Sequence, residues 1–584
     1  MFRRAGATLK PHFRGVHTSH ARQNTGKALI ISTVLAGSAL WYSTSRAVHN
    51  DADLRPANDD KPRSTFISTK PSDSNLLYTL VWGSNSDKIL SPEISSDETL
   101  RTPTVAKWLD GVALRDLQLH RKHAACIDAR GDVYQWGEGF FGDALKGVHS
   151  PKLTLRGKNI IQLQLTDEKL YALSASGRVY TIATDVSQQD LLAGSPTPSS
   201  DSWWGTGWLW GEDETVDFAE LTPTESLGWG ESFTSIAAGD NHLLALTSKG
   251  RVYAHPVNKQ ANHYGQLGFR KFSIPDPSAA ITKGNSHLHV ELIPKSLADP
   301  FVNSSRAARA TSTTFASDNL SNIDDKNIHF CPHLFEIPVL RGVEAAEIAA
   351  GGRSSFVRTP NGQVLGWGAN EYGQIGLGNN VSLDTITVPT EIILWRFTPN
   401  GTRSKCLSVK AGGDLTAFTV EREADKTRST VDLLLCGNGQ YGGLGNNTYT
   451  TVQGNPLRVK SLSGLMQYND RIKALEPIKP EEISISPTGH ILLALNSSAD
   501  SEGVGGKDLM VWGRNRESEL GNGKKASLVL PATVESPDGD RIMLMTKKAT
   551  EVKDLHGKVW KRGVKVEQHA VTGYECSAVY WKIE

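Results

Sequence analysis

Between Leu76 and the C-terminus the apolar positions come in short runs that stop at glycine, and the clearest run sets the pattern for the rest. Ile348-Ala349-Ala350 ends at Gly351-Gly352, Phe356-Val357 follows, and Val364-Leu365 leads into Trp367-Gly368 and the turn Tyr372-Gly373-Gln374-Ile375-Gly376-Leu377-Gly378. Glycines this close together exclude a helix interior, because each loses much backbone entropy on ordering, while they permit positive φ and close backbone approach. The pattern predicts a small-residue strand, a second strand, a Trp-Gly strand and a tight turn, which together make a blade of antiparallel sheet.

The unit recurs. Ile236-Ala237-Ala238-Gly239, His242 with Leu243 to Leu246, Val252-Tyr253 and Tyr264-Gly265-Gln266-Leu267-Gly268 form the fullest second copy. Weaker copies carry Trp136-Gly137, Val179-Tyr180, Cys436-Gly437 and Trp512-Gly513. The two ends are halves: Val81-Trp82-Gly83 lacks a leading strand, and Val571 to Tyr580 lacks a trailing one. Counting the halves as one gives about seven units, the usual range for a propeller. The expected fold is therefore all-β, a seven-bladed β-propeller whose C-terminal strand completes the sheet begun at the N-terminus and leaves no open edge.

These residues resemble the regulator of chromosome condensation repeat, with its small-small-Gly-x-x-His strand, Val-x-x-Trp-Gly strand and Asn-x-x-Gly-Gln-Leu-Gly turn. The resemblance covers most of Leu76 to Glu584 and is sharpest at His242 and from Gly362 to Asn379, whereas Ser354, Leu415 and Cys576 stand where the family has histidine. Trp82, Trp136, Gly239, His242, Gly351, Trp367, Gly368, Gly437, Trp512 and Gly513 are then structural repeat positions: tryptophans recurring in register pack blades, and repeat-register histidines such as His242 and His490 are hydrogen-bonded structural groups.

The front of the chain breaks the pattern. Residues 1–27 are rich in Arg, His, Ser and Thr and free of acid, the composition of a mitochondrial presequence. Residues 28–45 carry no charge and reach about 18 residues, enough to span a bilayer as one transmembrane helix, with Lys27 and Arg46 at the ends and Trp41-Tyr42 suited to the interface. Residues 46–75 are polar and predict a flexible tether to a propeller at 76–584. Together they predict a single-pass protein of the mitochondrial inner membrane with its propeller in the intermembrane space.

Charge sharpens this division. Seven basic residues and no acid precede Asn50, so that, with 63 basic and 62 acidic residues overall, the rest is net −6. A mildly acidic body argues against nucleic acid as a partner. The five cysteines, Cys126, Cys331, Cys406, Cys436 and Cys576, are scattered, form no Cys-x-x-Cys pair and predict buried thiols rather than a metal site.

Two insertions interrupt the repeats. The one at about 188–230 contains Trp203, Trp204, Trp208 and Trp210, candidates for partner contact or for covering a blade. The other, at about 274–325, is polar and predicts a mobile surface excursion. No phosphate loop, nucleophile elbow or His-Glu-x-x-His metal helix is present, so no catalytic residue, cofactor or small-molecule substrate is assigned.

The expected function is a non-enzymatic, membrane-tethered scaffold for protein partners. The leader, span and degenerate repeats resemble the fungal inner-membrane propeller proteins of the "found in mitochondrial proteome" group, which implies assistance to assembly of respiratory complex III, the cytochrome bc1 complex, through its subunits or assembly intermediates. The alternative is guanine-nucleotide exchange on a small GTPase, as in nuclear members of the repeat family. Light sensing through Trp203 to Trp210, as in plant relatives, is a third reading.

Overall fold

Strands that lie between two neighbouring sheets must be buried on both faces, and the second strand of four repeats meets this condition along its whole length. Ala124–Ile127, Lys169–Ser174, His242–Thr247 and His490–Leu495 are buried at every position. The computed structural model describes residues 76–92, 99–142, 150–189, 218–275, 287–297, 328, 331–396, 398–425, 428–469, 473–496, 506–536 and 539–584. By its internal contacts the chain divides into Met1–Ile67 and Ser68–Glu584. The presequence, span and tether expected within residues 1–75 lie outside the described residues, among which no helix is long and apolar enough to cross a membrane.

The fold is an all-β propeller. Glu347–Ala350, Ser354–Arg358, Val364–Ala369 and Thr385–Glu391 form one antiparallel sheet, and Arg403–Gly412, Leu415–Asp425, Arg428–Gly439 and Thr450–Arg458 form the next. Pro480–Ile485, His490–Leu495, Lys507–Gly513 and Leu528–Thr533 follow, with Met543–Leu544 added against Lys507–Gly513. Asp116–Leu119, Ala124–Ile127, Val133–Trp136 and Lys152–Leu155 make another sheet of the same order.

The expected division into seven separate blades is corrected at one place. Ile160–Leu165, Lys169–Ser174, Val179–Ala183 and Phe218–Pro223 share an eight-stranded sheet with Phe233–Ala238, His242–Thr247, Val252–Pro256 and His333–Glu336. Thr222 and Pro223 pair in parallel with His333 and Leu334, and that short ladder joins the two halves. Among the described residues there are consequently six sheets of four or more strands. The joint follows from chain length: the segment between Val252–Pro256 and His333–Glu336 delays the outer strand, which returns along the neighbouring half.

That segment also departs from the expected polar excursion. Lys271–Pro275 pairs with His287–Glu291, and Phe272, Ile274, Val290 and Leu292 are buried in the same cluster as Phe335. Similarly, the end of the stretch at 188–230 supplies the strand Phe218–Pro223. Trp203, Trp204, Trp208 and Trp210 lie outside the described residues.

The first and last described strands meet in one sheet, ordered Leu100–Val105, Leu80–Gly83, Cys576–Ile583, Val559–Thr572, Thr546–Lys553. Leu80 faces Val579, Val81 faces Ala578, Trp82 faces Ser577 and Gly83 faces Cys576. Removing Cys576 to Glu584 exposes the edge of Leu80–Gly83 and takes away the buried Ala578, Val579, Tyr580 and Trp581. This truncation should abolish the cooperative thermal transition and cause aggregation, measured by calorimetry and size-exclusion chromatography. A truncated protein that stayed monomeric with an unchanged melt would show that the C-terminal strand does not hold the ring.

Candidate functional site

The innermost strands surround an axial cavity of about 560 Å3 lined by residues of all six sheets of four or more strands, among them Asp116, Gln164, Gly239, Gly351, Gly412, Ser484 and Thr572. Side chains supplement the contacts between neighbouring inner strands here. Gln162 Nε2 donates to Ile236 O at 2.9 Å while Gln162 Oε1 accepts from Ile236 N at 3.1 Å, and Gln164 Oε1 accepts from Ala238 N at 3.1 Å. Small residues permit the close approach: a Cβ on Gly239 would stand 2.4 Å from Gly351 O.

Further out, the glycine-rich turns explain themselves chemically. Asn262 Oδ1 accepts from Leu267 N at 3.2 Å, Asn370 Oδ1 from Ile375 N at 3.3 Å and Asn515 Oδ1 from Leu520 N at 3.0 Å. Gln266 and Gln374 side chains accept the N–H two residues before them, from Tyr264 and Tyr372, both at 2.9 Å, and Glu519 accepts from Glu517 N at 2.7 Å. With its side chain turned back on its own loop, each of these residues presents its backbone carbonyl to the next sheet.

The Trp-Gly strands receive those carbonyls. Trp367 Nε1 donates to Gln266 O at 2.8 Å, Trp512 Nε1 to Gly443 O at 2.8 Å, Trp136 Nε1 to Ile89 O at 2.8 Å and Trp82 Nε1 to Glu519 O at 2.7 Å. All four indoles are fully buried. A second donor reaches the same oxygen in three sheets: Ser355 Oγ to Gln266 O at 2.8 Å, Thr416 Oγ1 to Gln374 O at 2.7 Å and Ser577 Oγ to Glu519 O at 2.9 Å. Where Cys436 replaces tryptophan, its Sγ lies 3.4 Å from Gln374 O. The glycine after the aromatic position is required by geometry. Gly368 and Gly437 adopt φ of +106° and +109°, and a Cβ there would fall 2.5 Å from Arg353 O and 2.0 Å from Asp414 O.

His242 Nε2 lies 2.9 Å from Ser355 Oγ, and His490 Nε2 lies 3.2 Å from Ser577 Oγ. The pairs have the spacing of a nucleophile and its base, but the hydroxyl protons are committed to Gln266 O and Glu519 O. The histidines must therefore donate from Nε2, which leaves no base facing the serine. All four residues are fully buried. Burial also lowers the pKa of His242 and His490 from 6.5 to about 3, so both are neutral hydrogen-bonding groups of the ring.

The two mouths of the cavity differ. At the mouth formed by the short loops, Arg353 lies 2.6 Å from Glu371 and 3.1 Å from Asp414, and its guanidinium stacks 4.6 Å from the centre of the Tyr264 ring. Burial first, then the charge of Asp414, raises the Asp240 carboxyl to about 6. Toward the other mouth, Lys507 pairs with Glu481 at 2.8 Å and with Glu567, and His569 Nδ1 meets Glu482 at 2.9 Å. Asp116 is buried in the wall, accepting from Leu117 N and Leu163 N, and burial raises its pKa.

The sequence pattern had singled out the indoles, the glycines and His242, and the structure brings them together at the joints between sheets. It missed the hydroxyl donors, although Ser355, Thr416 and Ser577 each follow the family's histidine position by one residue and could have been found from that register. It also missed the axial charges, which come from strands remote in sequence. The five cysteines are buried free thiols.

Two predictions come from these joints. Trp82→Phe and Ser577→Ala each remove one donor from Glu519 O and should destabilise by about 1 kcal/mol. The double variant leaves that buried carbonyl without either side-chain donor and should exceed the sum, as tested by a double-mutant cycle in urea; strict additivity would refute the shared joint.

The second concerns acid. Burial lowers His120 to about 4 and His123, His242 and His490 to about 3. Each is neutral when folded and gains a proton when unfolded, so its contribution is complete above the ordinary pKa of 6.5 and is lost as pH falls through the window below it. Asp240, raised to about 6, works in the opposite sense, because its folded form takes up a proton first. The net expectation is weakening between pH 7 and pH 5. The combined His242→Gln and His490→Gln variant should lose less stability across that interval, by about 2 kcal/mol per histidine, in urea titrations at the two pH values; an unchanged slope would refute it.

With this geometry in hand, the relationships to known proteins are informative. Residues 361–419 match the regulator of chromosome condensation (RCC1) repeat, and residues 233–254 and 345–374 match a second description of the same repeat. Protein FMP25, mitochondrial, of Saccharomyces cerevisiae is 22% identical over 492 residues, covering 81% of this chain and 69% of that protein. RCC1 domain-containing protein RUG3, mitochondrial, of Arabidopsis thaliana is 23% identical over 312 residues, 53% of this chain and 54% of RUG3. The crystal structure of Prp20p from Saccharomyces cerevisiae, described with its binding properties to Gsp1p and histones, shares the fold at 16% identity and a TM-score of 0.50, covering 87% of this chain and 92% of Prp20p. By its matched segments and the propeller they build, this chain carries regulator of chromosome condensation repeats.

Proposed function

We propose that this protein is a non-enzymatic mitochondrial scaffold whose propeller holds other polypeptides. The observation that carries the reading is the match to Protein FMP25, mitochondrial, across 81% of the chain, together with that to the mitochondrial protein RUG3. The site chemistry supports it: the two histidine–serine pairs are buried and committed to carbonyls, while the loops of the ring remain available for contact. We count the ring as seven units, taking the eight-stranded sheet as two.

The finer reading is that residues 28–45 anchor the chain in the inner membrane, that the propeller occupies the intermembrane space, and that it assists assembly of complex III. It is supported by the acid-free basic front and the uncharged stretch behind it. Deleting the gene and resolving respiratory complexes on native gels should show a specific shortage of mature complex III, restored by the full chain. Normal complexes would remove the assembly role, and a ring protected from protease after the outer membrane is opened would remove the topology. Accelerated nucleotide release from a small GTPase would favour the exchange-factor reading instead.

A further inference from the structure

The hairpin of Thr546–Lys553 and the first half of Val559–Thr572 is charged against the trend of the body. Residues 546–566 carry seven basic and two acidic side chains, whereas the chain beyond Asn50 is net negative. Lys548 stands directly opposite Lys565 in the ladder, a pairing of like charges that weakens an isolated sheet. Lys565 reaches Glu584 at 2.5 Å, and Glu551 lies opposite Arg562. Lys548, Lys558, Lys561 and Arg562 are exposed, and none forms an ion pair with a carboxylate among the described residues. Val559, 44% exposed, and half-buried Trp560 lie among them.

The opposite side of the hairpin is fixed to the ring. Ala549, Val552 and Val566 pack with Leu77 and Trp581. Asp554 pairs with Arg130 at 3.1 Å, and Tyr134 Oη lies 3.2 Å from His556 Nε2. The basic edge is thus held on a rigid support.

The chain enters the ring at this same place. Leu76 O accepts from Lys547 Nζ at 2.7 Å, and Leu77 is buried in the hairpin's apolar cluster. Thirty residues separate the uncharged stretch 28–45 from Leu76. If residues 28–45 enter a bilayer, the covalent connection ties that bilayer to the foot of the hairpin and raises the effective concentration of its headgroups there.

We propose that this hairpin is a docking surface for anionic phospholipid headgroups, by which the propeller lies against the bilayer that anchors it. The proposal rests on the membrane-anchor reading of residues 28–45. Clustered lysine and arginine are drawn to anionic lipid surfaces, and an interfacial tryptophan beside an exposed valine suits the headgroup boundary. The covalent route from the anchor to the foot of the hairpin favours lipid over an acidic protein.

The test places the full-length chain in nanodiscs of neutral phosphatidylcholine, with or without an anionic lipid fraction, and follows amine labelling of Lys548, Lys558 and Lys561 by mass spectrometry. Labelling should fall about tenfold in anionic discs alone, recover in high salt, and stay high for Lys558 in the Lys548→Glu, Lys561→Glu, Arg562→Glu variant, whose melt and incorporation should be unchanged. Equal labelling in neutral and anionic discs that contain the chain would overturn the docking surface, as would protection that appears only on adding acidic protein. Failure to enter any disc would count against the anchor instead. In that event, salt-sensitive sedimentation of the chain with anionic vesicles supports the surface and its absence overturns it.

Discussion

The ring depends on a backbone carbonyl offered by one sheet to the next. Glu519 O is the decisive case, because it accepts from Trp82 near the N-terminal end of the described ring and from Ser577 on the last strand. A single oxygen with two lone pairs thereby receives both halves of the sheet that the first and last described strands build together. Gln266 O does the same for Trp367 and Ser355. Closure of the ring thus reuses the joint found between internal repeats.

The joint matters because most neighbouring sheets in the ring do not extend one another's backbone ladders. Buried apolar surface supplies most of the attraction between them, but such packing is not directional. The indole N–H, hydroxyl and turn carbonyl set the angle and the depth at which one sheet meets the next. Each is fully buried, so losing one member leaves a polar group without water to replace its partner. The arrangement also explains why histidine and serine at hydrogen-bonding distance are structural here: their protons are directed along the chain of donors toward a carbonyl.

What remains available for function lies away from these joints. The inner strands carry compensated charges around the axis, as in Lys507 with Glu481 and Glu567, and the short loops gather Arg353, Asp414 and Glu371 at one mouth. The hairpin above Leu77 is different, since its exposed basic groups exceed the acidic groups that could neutralise them. A family of rings can thus keep its joints while varying loops and hairpins.

Much of the repeat was legible in the residues themselves. Trp367-Gly368 declared its strand because an indole needs a buried acceptor and only glycine tolerates the positive φ beside the preceding backbone. The Asn and Gln of the turns are local devices, closed within a few residues, and so they also appear as a linear pattern. By contrast, Thr222 pairing with His333, burial of Val290 with Phe335, and the Lys548–Lys565 opposition join positions whose neighbours are set by the path of the chain. The repeating strand, turn and aromatic joint were set by the residues alone, because those rest on local backbone geometry and side-chain chemistry. Which carbonyl each donor meets, which sheets merge and where charge is left exposed were settled by the folded ring, because those depend on distances across it.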